Sequence, residues 1–500
     1  FLVFFISMPL FAQLPLPLPI TGEAAPAFGR LDRWMTDFLT KHQVPGGSLA
    51  YSRGGVLLHA RGYGYQDLAT RQAVQPDTLF RIASVSKPVT ATAILKLVEQ
   101  GKLRLGDRAF TILDQLKNTS GGITDARVAT ITIQQLLQHT GGFDRGVSSD
   151  PMFQNSVAAQ AVGMPGPVGC TEVIRWMLSR SLDFAPGARH AYSNFGFCVL
   201  GCVIEKVSGM TYEDFVRKEV LAPMGISRMR LGKTQANERL AGESQYFMTA
   251  GTADITSIFP PYTQRVPWPY GAFALESMDA HGGWVASAPD LLRWVNHLDG
   301  LRGAPFFSNS TYLSFATRPP APLSQTEPSF YGFGWGVNPA ATRPTLFHEG
   351  SLPGTISYLV KFSSGNYYAI LLNKRPTAPV LNEIGEGISA ALAGTTAEQW
   401  PVRDLFPNFV ASGPVRIADL AGVVNGASFA TPFAPGSWVS IRGINLAPTT
   451  RTWRDDEIVN GVLPTQLDGV NVMINGKPAA VYFISPGQIN AQAPEETVTG

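Results

Sequence analysis

Residues 80–103 read "FRIASVSKPVTATAILKLVEQGKL". The segment opens like the end of a strand, passes Ser84, Ser86 and Lys87, and continues as an apolar run too long for one strand. The pattern predicts a buried helix with polar groups at its mouth. Pro88 fits the first helical turn, which has no intrahelical N–H bond to lose. A serine at that N-terminus lies where unpaired N–H groups and the positive end of the helix dipole face a developing oxyanion. Ser84 and Lys87, three residues apart, share one helical face. A lysine in a dry pocket has a lowered pKa and can take the serine proton. Ser-x-x-Lys is a weak pattern alone, and a capping serine beside a surface lysine is its plain structural alternative. The pattern is sharper here because no other lysine of the chain follows a serine by three positions. Ser86 is the rival nucleophile, but it adjoins Lys87 directly and would point elsewhere.

Two further pieces carry chemistry. In "RHAYSNFGFCVLG" (189–201), Tyr192 and Asn194 precede another apolar helix. A tyrosine near a lysine ammonium can be held partly as phenolate and shuttle a proton to a leaving group. Asn194 offers a donor and an acceptor to a substrate amide or ester. Read alone, the pair is a packing tyrosine and an N-cap. In "LFHEGSLPGTISYLVKF" (346–362), Gly350 would let substrate approach the backbone, and the Ser351 N–H could be a second oxyanion donor beside that of Ser84. His-x-Gly also occurs at His139 and His281. His348 is chosen for its order after Tyr192 and its place beside a strand, the other two reading as structural residues at helix ends.

Outward from these motifs, "LDRWMTDFLTKH" (31–42) puts Leu31, Trp34, Met35, Phe38 and Leu39 on one helical face, and residues 46–64 read as two strands joined by Gly-Gly. Helical signals dominate from Pro88 to about Thr345, strands return through residue 373, and 380–394 form a last helix. The order predicts an α+β domain over 30–395: an antiparallel sheet flanked by helices, completed late, with a helical subdomain inserted. Residues 396–414 read as a linker. From Val415 the composition changes to short β-branched runs broken by Gly, Pro and Asn-Gly, an all-β sandwich over 415–500.

The ends and composition bound the rest. "FLVFFISMPLFAQ" (1–13) reads as a signal-peptide remnant, too short to span a bilayer, and predicts export to the periplasm or beyond. Because it lacks a methionine and a basic region, the sequence is expected to begin part-way through the signal. Residues 14–29 form a proline-rich lead-in, expected to be extended and poorly ordered. A core-forming 45% hydrophobic content, 15% charged residues and a net charge of +2 without dense basic runs exclude nucleic acid as a partner. Three cysteines imply no disulfide scaffold. Cys170 could pair with Cys198 or Cys202, or all three could be small core residues. No His/Cys cluster has zinc spacing, and neither a metal nor an organic cofactor is expected.

Together, "FRIASVSK", "HAYSN" and "HEG" resemble the serine β-lactamase and penicillin-binding-protein superfamily, in the branch of class C β-lactamases, DD-peptidases and related esterases. The flanking "ITIQQLLQHTGG", "FAPGARHAYSN" and "GGWVASAPDLLRW" fit the same pattern. The resemblance implies that Ser84 is acylated, Lys87 activates it and Tyr192 shuttles the proton. Asn194, His348 and Gly350 would bind substrate, with the Ser84 and Ser351 N–H groups as oxyanion hole. Two departures stand out: His348 replaces the lysine of the family's Lys-Thr-Gly motif, and Glu349 its threonine. A fixed charge for a substrate carboxylate is thereby lost, unless a protonated His348 substitutes in part. Glu349 would repel an anionic substrate unless it points away from the cleft. The aromatic insert at 246–273 either lines the cleft, favouring uncharged acyl groups, or packs its own aromatics at the surface.

The C-terminal stretch, through "VVNGASF", "PGSWVSIRG" and "ISPGQINAQAP", resembles the immunoglobulin-like module of many exported proteins of soil bacteria, and a final strand is expected beyond Gly500. The leading expectation is an exported serine hydrolase that forms an acyl-enzyme on an ester, an amide, a D-amino-acid peptide or a β-lactam. The alternative is a reduced hydrolase scaffold whose β-sandwich binds a cell-envelope or extracellular ligand.

Overall fold

The computed structural model describes residues 14–495 apart from 117–121, 304, 308–310, 322–327, 340–343, 410–415, 418–421, 429, 432, 445, 448–450, 454, 460, 468–469 and 486–487. The expected signal remnant and the strand expected beyond Gly500 lie outside the described residues. Backbone contacts divide the chain into two compact units, one running to Arg403 without 225–227 and the other holding 404–500 with 225–227.

The first unit begins with α1 (Gly29–Lys41), whose Leu31, Met35, Phe38 and Leu39 are buried as their spacing predicts. Strands β1 (Gly46–Arg53) and β2 (Val56–Asp67) follow as a hairpin. Its two-residue turn is made by Gly54 and Gly55, both at positive φ, the backbone that this tight turn demands. Next come α2 (Ser86–Glu99), α3 (Cys170–Leu178), α4 (Asn194–Ser208) and α5 (Ala288–Leu298). Strands β3 (Thr345–Leu352), β4 (Thr355–Lys361) and β5 (Asn366–Leu372) and helix α6 (Leu381–Leu392) end the unit. The sheet runs Ile20–Thr21, β2, β1, β5, β4, β3, Gly336–Asn338, Phe330–Tyr331, every neighbouring pair antiparallel. The late strand β5 pairs with the early β1 from Gly47–Leu372 to Arg53–Asn366, which closes the domain. Helices α1 and α6 bury Met35, Phe38, Ile384 and Ile388 against Leu49, Tyr51 and Ile370 on one face. On the other face α5 packs across β1 and β5, and Trp294 stacks on Trp335 at 5.8 Å.

One expectation is corrected here and one open choice is resolved. The lead-in at 14–29 is docked: Leu14, Leu18 and Ala25 enter the core, and Ile20–Thr21 pairs with Tyr63 and Gly62 as an edge strand. The leucines between the prolines supply enough apolar surface to hold the segment down. The cysteine pairing left open by the sequence is a Cys170–Cys198 disulfide joining α3 to α4, while Cys202 is free and buried. With a separation of 28 residues, the link restricts the unfolded chain by about 3–4 kcal/mol. Replacing both cysteines by serine is therefore expected to lower the urea midpoint. An unchanged midpoint would contradict this.

In the second unit, β6 (Trp438–Ile444), β7 (Val470–Ile474), β8 (Lys477–Ile484) and β9 (Gln488–Gln492) join shorter strands in an antiparallel sheet. As the sequence predicts, this unit is all-β, and its strands pair antiparallel. Both β6 and β8 change partner along their length, each pairing with three other strands. The sheet carries Val439, Ile441, Val481, Ile489 and Ala491 into its own core.

Candidate active site

Strand Phe80–Arg81 runs into a single 3-10 turn, Ala83–Val85, which leads directly into α2. Ala83 has φ +47, a left-handed backbone that costs a residue with a Cβ about 1–2 kcal/mol. The bend is held by the Ile82 N–H on the Trp284 carbonyl (2.9 Å) and by the Ser357 hydroxyl on the Ile82 carbonyl (2.7 Å). Its effect is to lift Ser84 out: between Thr78 and Leu95, Ser84 is the one residue that is not buried.

Lys87 is fully buried, and its Nζ reaches Ser84 Oγ and the His281 carbonyl, each at 2.9 Å. Among the described residues no carboxylate pairs with it. Burial therefore pushes its amine well below the ordinary lysine value, Arg145 adds to this, and Asp150 opposes it. Val89, Ile94, Leu95 and Leu97, buried along α2, each stabilise the fold by about 1.5–3 kcal/mol and offset the cost of a buried amine. Ser86 is buried, and its Oγ accepts from the Trp284 N–H at 3.2 Å, so the rival serine has a structural task.

Tyr192 ends the loop before α4 and hydrogen bonds to Ser84 through its side chain. The Lys87 Nζ lies 4.9 Å from the ring centroid and the Arg145 guanidinium 4.6 Å. The expected phenolate character is not found. Burial raises the hydroxyl above the ordinary tyrosine value, outweighing the opposing pull of Ser84 and Arg145, so Tyr192 is a protonated donor. Asn194 opens α4, and its Nδ2 donates to Asp150 at 2.6 Å. Its Oδ1 is buried with no partner among the described residues.

The strand edge corrects two further expectations. The Gly336–Asn338 strand covers the outer edge of β3 only from Thr345 to Phe347, and beyond that β3 packs against the Ser84 turn. A Cβ at Gly350 would stand 2.1 Å from the Ile82 carbonyl and 2.3 Å from the Ser357 hydroxyl. The protein itself fills the space assigned to substrate, and the glycine is what lets β3 meet the Ser84 turn. His348 is buried and neutral, not a protonated stand-in for lysine. Burial, then Lys87, holds it down at about 3, against a raising hydrogen bond to the Glu349 carbonyl. Because that carbonyl accepts from Nδ1 at 2.6 Å, Nε2 of the neutral ring accepts from the Tyr331 hydroxyl at 2.8 Å. Glu349 is exposed; burial raises its carboxyl and Arg145 lowers it. Ser351 is exposed opposite Ile356, its Oγ accepting from Arg375 at 3.4 Å.

Sequence reasoning missed His139, Tyr331, Asp150 and Arg145. His139 is no mere helix end: its Nδ1 accepts from the Ser193 N–H at 3.2 Å, and its ring lies 4.4 Å from Tyr192 and 4.3 Å from Tyr331. Its place in the His-Thr-Gly-Gly stretch was the available signal. The insert divides between the two readings offered for it. Tyr246 and Tyr270 flank the buried Arg81 guanidinium, which donates to the Pro269, Lys233 and Thr234 carbonyls. Phe273, at its far end, packs with Ala83 and Leu352 beside Ser84.

A family model described as Beta-lactamase matches residues 31–392, most of the chain. The chain belongs to the beta-lactamase family. Its sequence is 25% identical over 349 residues to "Protein flp" of Staphylococcus aureus strain N315, covering 69% of this chain and 62% of that protein, so it spans under two thirds of that relative. Among solved structures this beta-lactamase-family chain is similar to the hydrolase EstCE1, with a TM-score of 0.56 and 20% identity over 74% of this chain and 98% of that one. It is also similar to the D-amino acid amidase of Ochrobactrum anthropi SV3, with a TM-score of 0.55 and 21% identity over 73% and 98%. At these identities the likeness shows the α+β fold, with its antiparallel sheet and flanking helices.

Proposed function

We propose that the chain is an exported serine hydrolase that forms an acyl-enzyme on Ser84 and acts on esters or on amides of the D-amino-acid type. The observation that carries this reading is the buried Lys87 amine 2.9 Å from Ser84 Oγ, with no carboxylate partner among the described residues. Ser84 Oγ attacks the substrate carbonyl carbon while its proton passes to the neutral Lys87 amine. The oxyanion is held by the Ser84 and Ser351 N–H groups at the meeting of the nucleophile turn and β3. As the tetrahedral intermediate collapses, the bond to the leaving group breaks and Tyr192 donates its proton to that group. The Lys87 ammonium then reprotonates the phenolate, and water repeats the cycle on the ester. The orphaned Asn194 Oδ1 supplies an acceptor for a substrate N–H.

Export is supported by the apolar 1–13 and by the disulfide, which needs an oxidising compartment. The placement in the class C and DD-peptidase branch, and the immunoglobulin-like kinship of the second unit, belong to this reading. So does turnover like that named for EstCE1, a hydrolase with promiscuous acyltransferase activity, and for the D-amino acid amidase.

The neutral His348 and the exposed Glu349 bear on substrate charge. Arg145, exposed above Tyr192, draws on Glu349 and leaves little net charge for a substrate carboxylate. Short p-nitrophenyl esters and D-amino-acid amides are expected to exceed D-alanyl peptides with a free carboxylate in kcat/KM by ~10-fold or more, the effect of about 1.4 kcal/mol. A preference for the free-carboxylate peptides would overturn this assignment.

A further inference from the structure

The second unit carries a solvent-facing aromatic surface that the hydrolase chemistry does not use. Along β6, Val439 and Ile441 enter the core, so Trp438 and Ser440 fall on the opposite face. Across the ladder Ser440 pairs with Asn490 of β9. A register shift between Val481 and Phe483 in β8 turns Tyr482 outward, and the Trp453 N–H bonds to the Tyr482 carbonyl at 3.1 Å. Trp438, Trp453 and Tyr482 thus meet around a cavity of about 440 Å³, together with Gly426, Ala427 and Asn490. Trp438 is 39% and Tyr482 40% exposed.

The character of this surface selects its ligand. Among the described residues that line it no side chain is charged, which disfavours an ionic ligand. The ring centroids lie 4.8–6.1 Å apart, so the rings touch one another and leave no cage between them for an ammonium group. Their planes are tilted by 52°, 65° and 70°, a cup rather than the long groove that an extended proline-rich peptide needs. Polar groups wait on the same face. Asn490 Oδ1 already accepts from Gln488 at 2.8 Å, which leaves its amide N–H groups for a ligand. A neutral sugar ring has a C–H face that stacks on aromatic rings and hydroxyls that satisfy an amide.

We propose that the C-terminal unit binds a neutral polysaccharide on the Trp438–Trp453–Tyr482 surface. The ligand's rings stack on the indoles, and its hydroxyls reach Asn490. Such binding would hold the hydrolase on a glycan and raise its concentration near any substrate attached there.

The test uses the full chain in native gels cast with hydroxyethyl cellulose, xylan, galactomannan, dextran or soluble starch, with tryptophan fluorescence read in parallel. At least one polysaccharide is expected to retard the protein and shift its fluorescence. Trp438→Ala and, separately, Tyr482→Ala should weaken that binding at least ~10-fold, in line with the loss of one stacking surface. Trp438→Tyr should retain most of it, and ester hydrolysis and the thermal midpoint should stay unchanged in all three variants. Retardation by none of the five, or retardation that survives both alanine variants, overturns the proposal. So does a proline-rich peptide that binds through Trp438 where the polysaccharides do not.

Discussion

Replacing Ser84 by alanine is expected to lower kcat/KM for a p-nitrophenyl ester by ~10⁴-fold or more, the scale on which loss of a nucleophile acts. Stability should change little, because Ser84 is only partly buried and its hydroxyl hydrogen bonds to Lys87 and Tyr192. Lys87→Met keeps the length of the side chain and removes the amine. Its loss should approach that of Ser84→Ala, and the double variant should be no worse than either single one, since the two groups act as a unit. Removing the buried amine also ends its desolvation cost, so the methionine variant is expected to be at least as stable as the parent. Ser86→Ala is the control. It loses one hydrogen bond, from the Trp284 N–H, at a cost of about 1 kcal/mol or more, and should keep its activity. Activity that survived Ser84→Ala and vanished with Ser86→Ala would reverse the assignment of the nucleophile.

The second large effect is acid lability. Six of the seven histidines are held below their ordinary value, in each case first by burial: His59 and His297 at about 4, His348 at about 3, and His139, His190 and His281 in the same direction. An unfolded histidine takes a proton near pH 6.5. Below that pH the unfolded chain therefore binds more protons than the folded one, and stability falls as the pH falls towards the folded values. Three acids work against this: Asp279, raised to about 7, and Asp290 and Glu349, also raised, all chiefly by burial. Folded acids of that kind are stabilising on acidification down to their unfolded values near 4. Six groups against three leave a net uptake on unfolding, each net proton contributing about 1.4 kcal/mol per pH unit. The thermal midpoint should drop by many degrees between pH 7 and pH 4.5. His59→Gln should flatten the slope, because the fully buried His59 lies far from Ser84 in sequence and bonds to Tyr63. A midpoint that is level or rises on acidification would show that these rings are not held neutral.

The readable part of the site is the part set by local geometry. Ser84 and Lys87 meet because residues three apart meet at a helix start, whatever the rest of the chain does. The faces of α1 and the Gly54–Gly55 turn are likewise written in spacing and residue type. What stayed hidden depends on contacts between distant segments. The protonation of Tyr192 follows from how deeply His139, Tyr331 and Phe197 cover the site, which no spacing reports. Gly350 looks like a substrate-facing glycine until the Ile82 carbonyl is seen in the space of its missing Cβ. His348 could have been a cation, and only burial beside Lys87 with the Tyr331 hydroxyl on Nε2 makes it neutral. Cys198 and Cys202 lie on the same helix, and the choice between them was made by the packing of α3.

The central claim is a covalent bond between substrate and Ser84 Oγ. Intact-mass spectrometry of the parent and of Ser84→Ala, quenched in acid during turnover of a short-chain p-nitrophenyl ester and during incubation with a penicillin, tests it most directly. The account predicts an acyl-sized mass increase in the parent with the ester, mapped by peptide digestion to the segment holding Ser84, and no increase in Ser84→Ala. A penicillin adduct on the same peptide would extend the mechanism to β-lactams. Ester turnover at the parent's rate by Ser84→Ala, or an adduct mapped to any other residue, would contradict it.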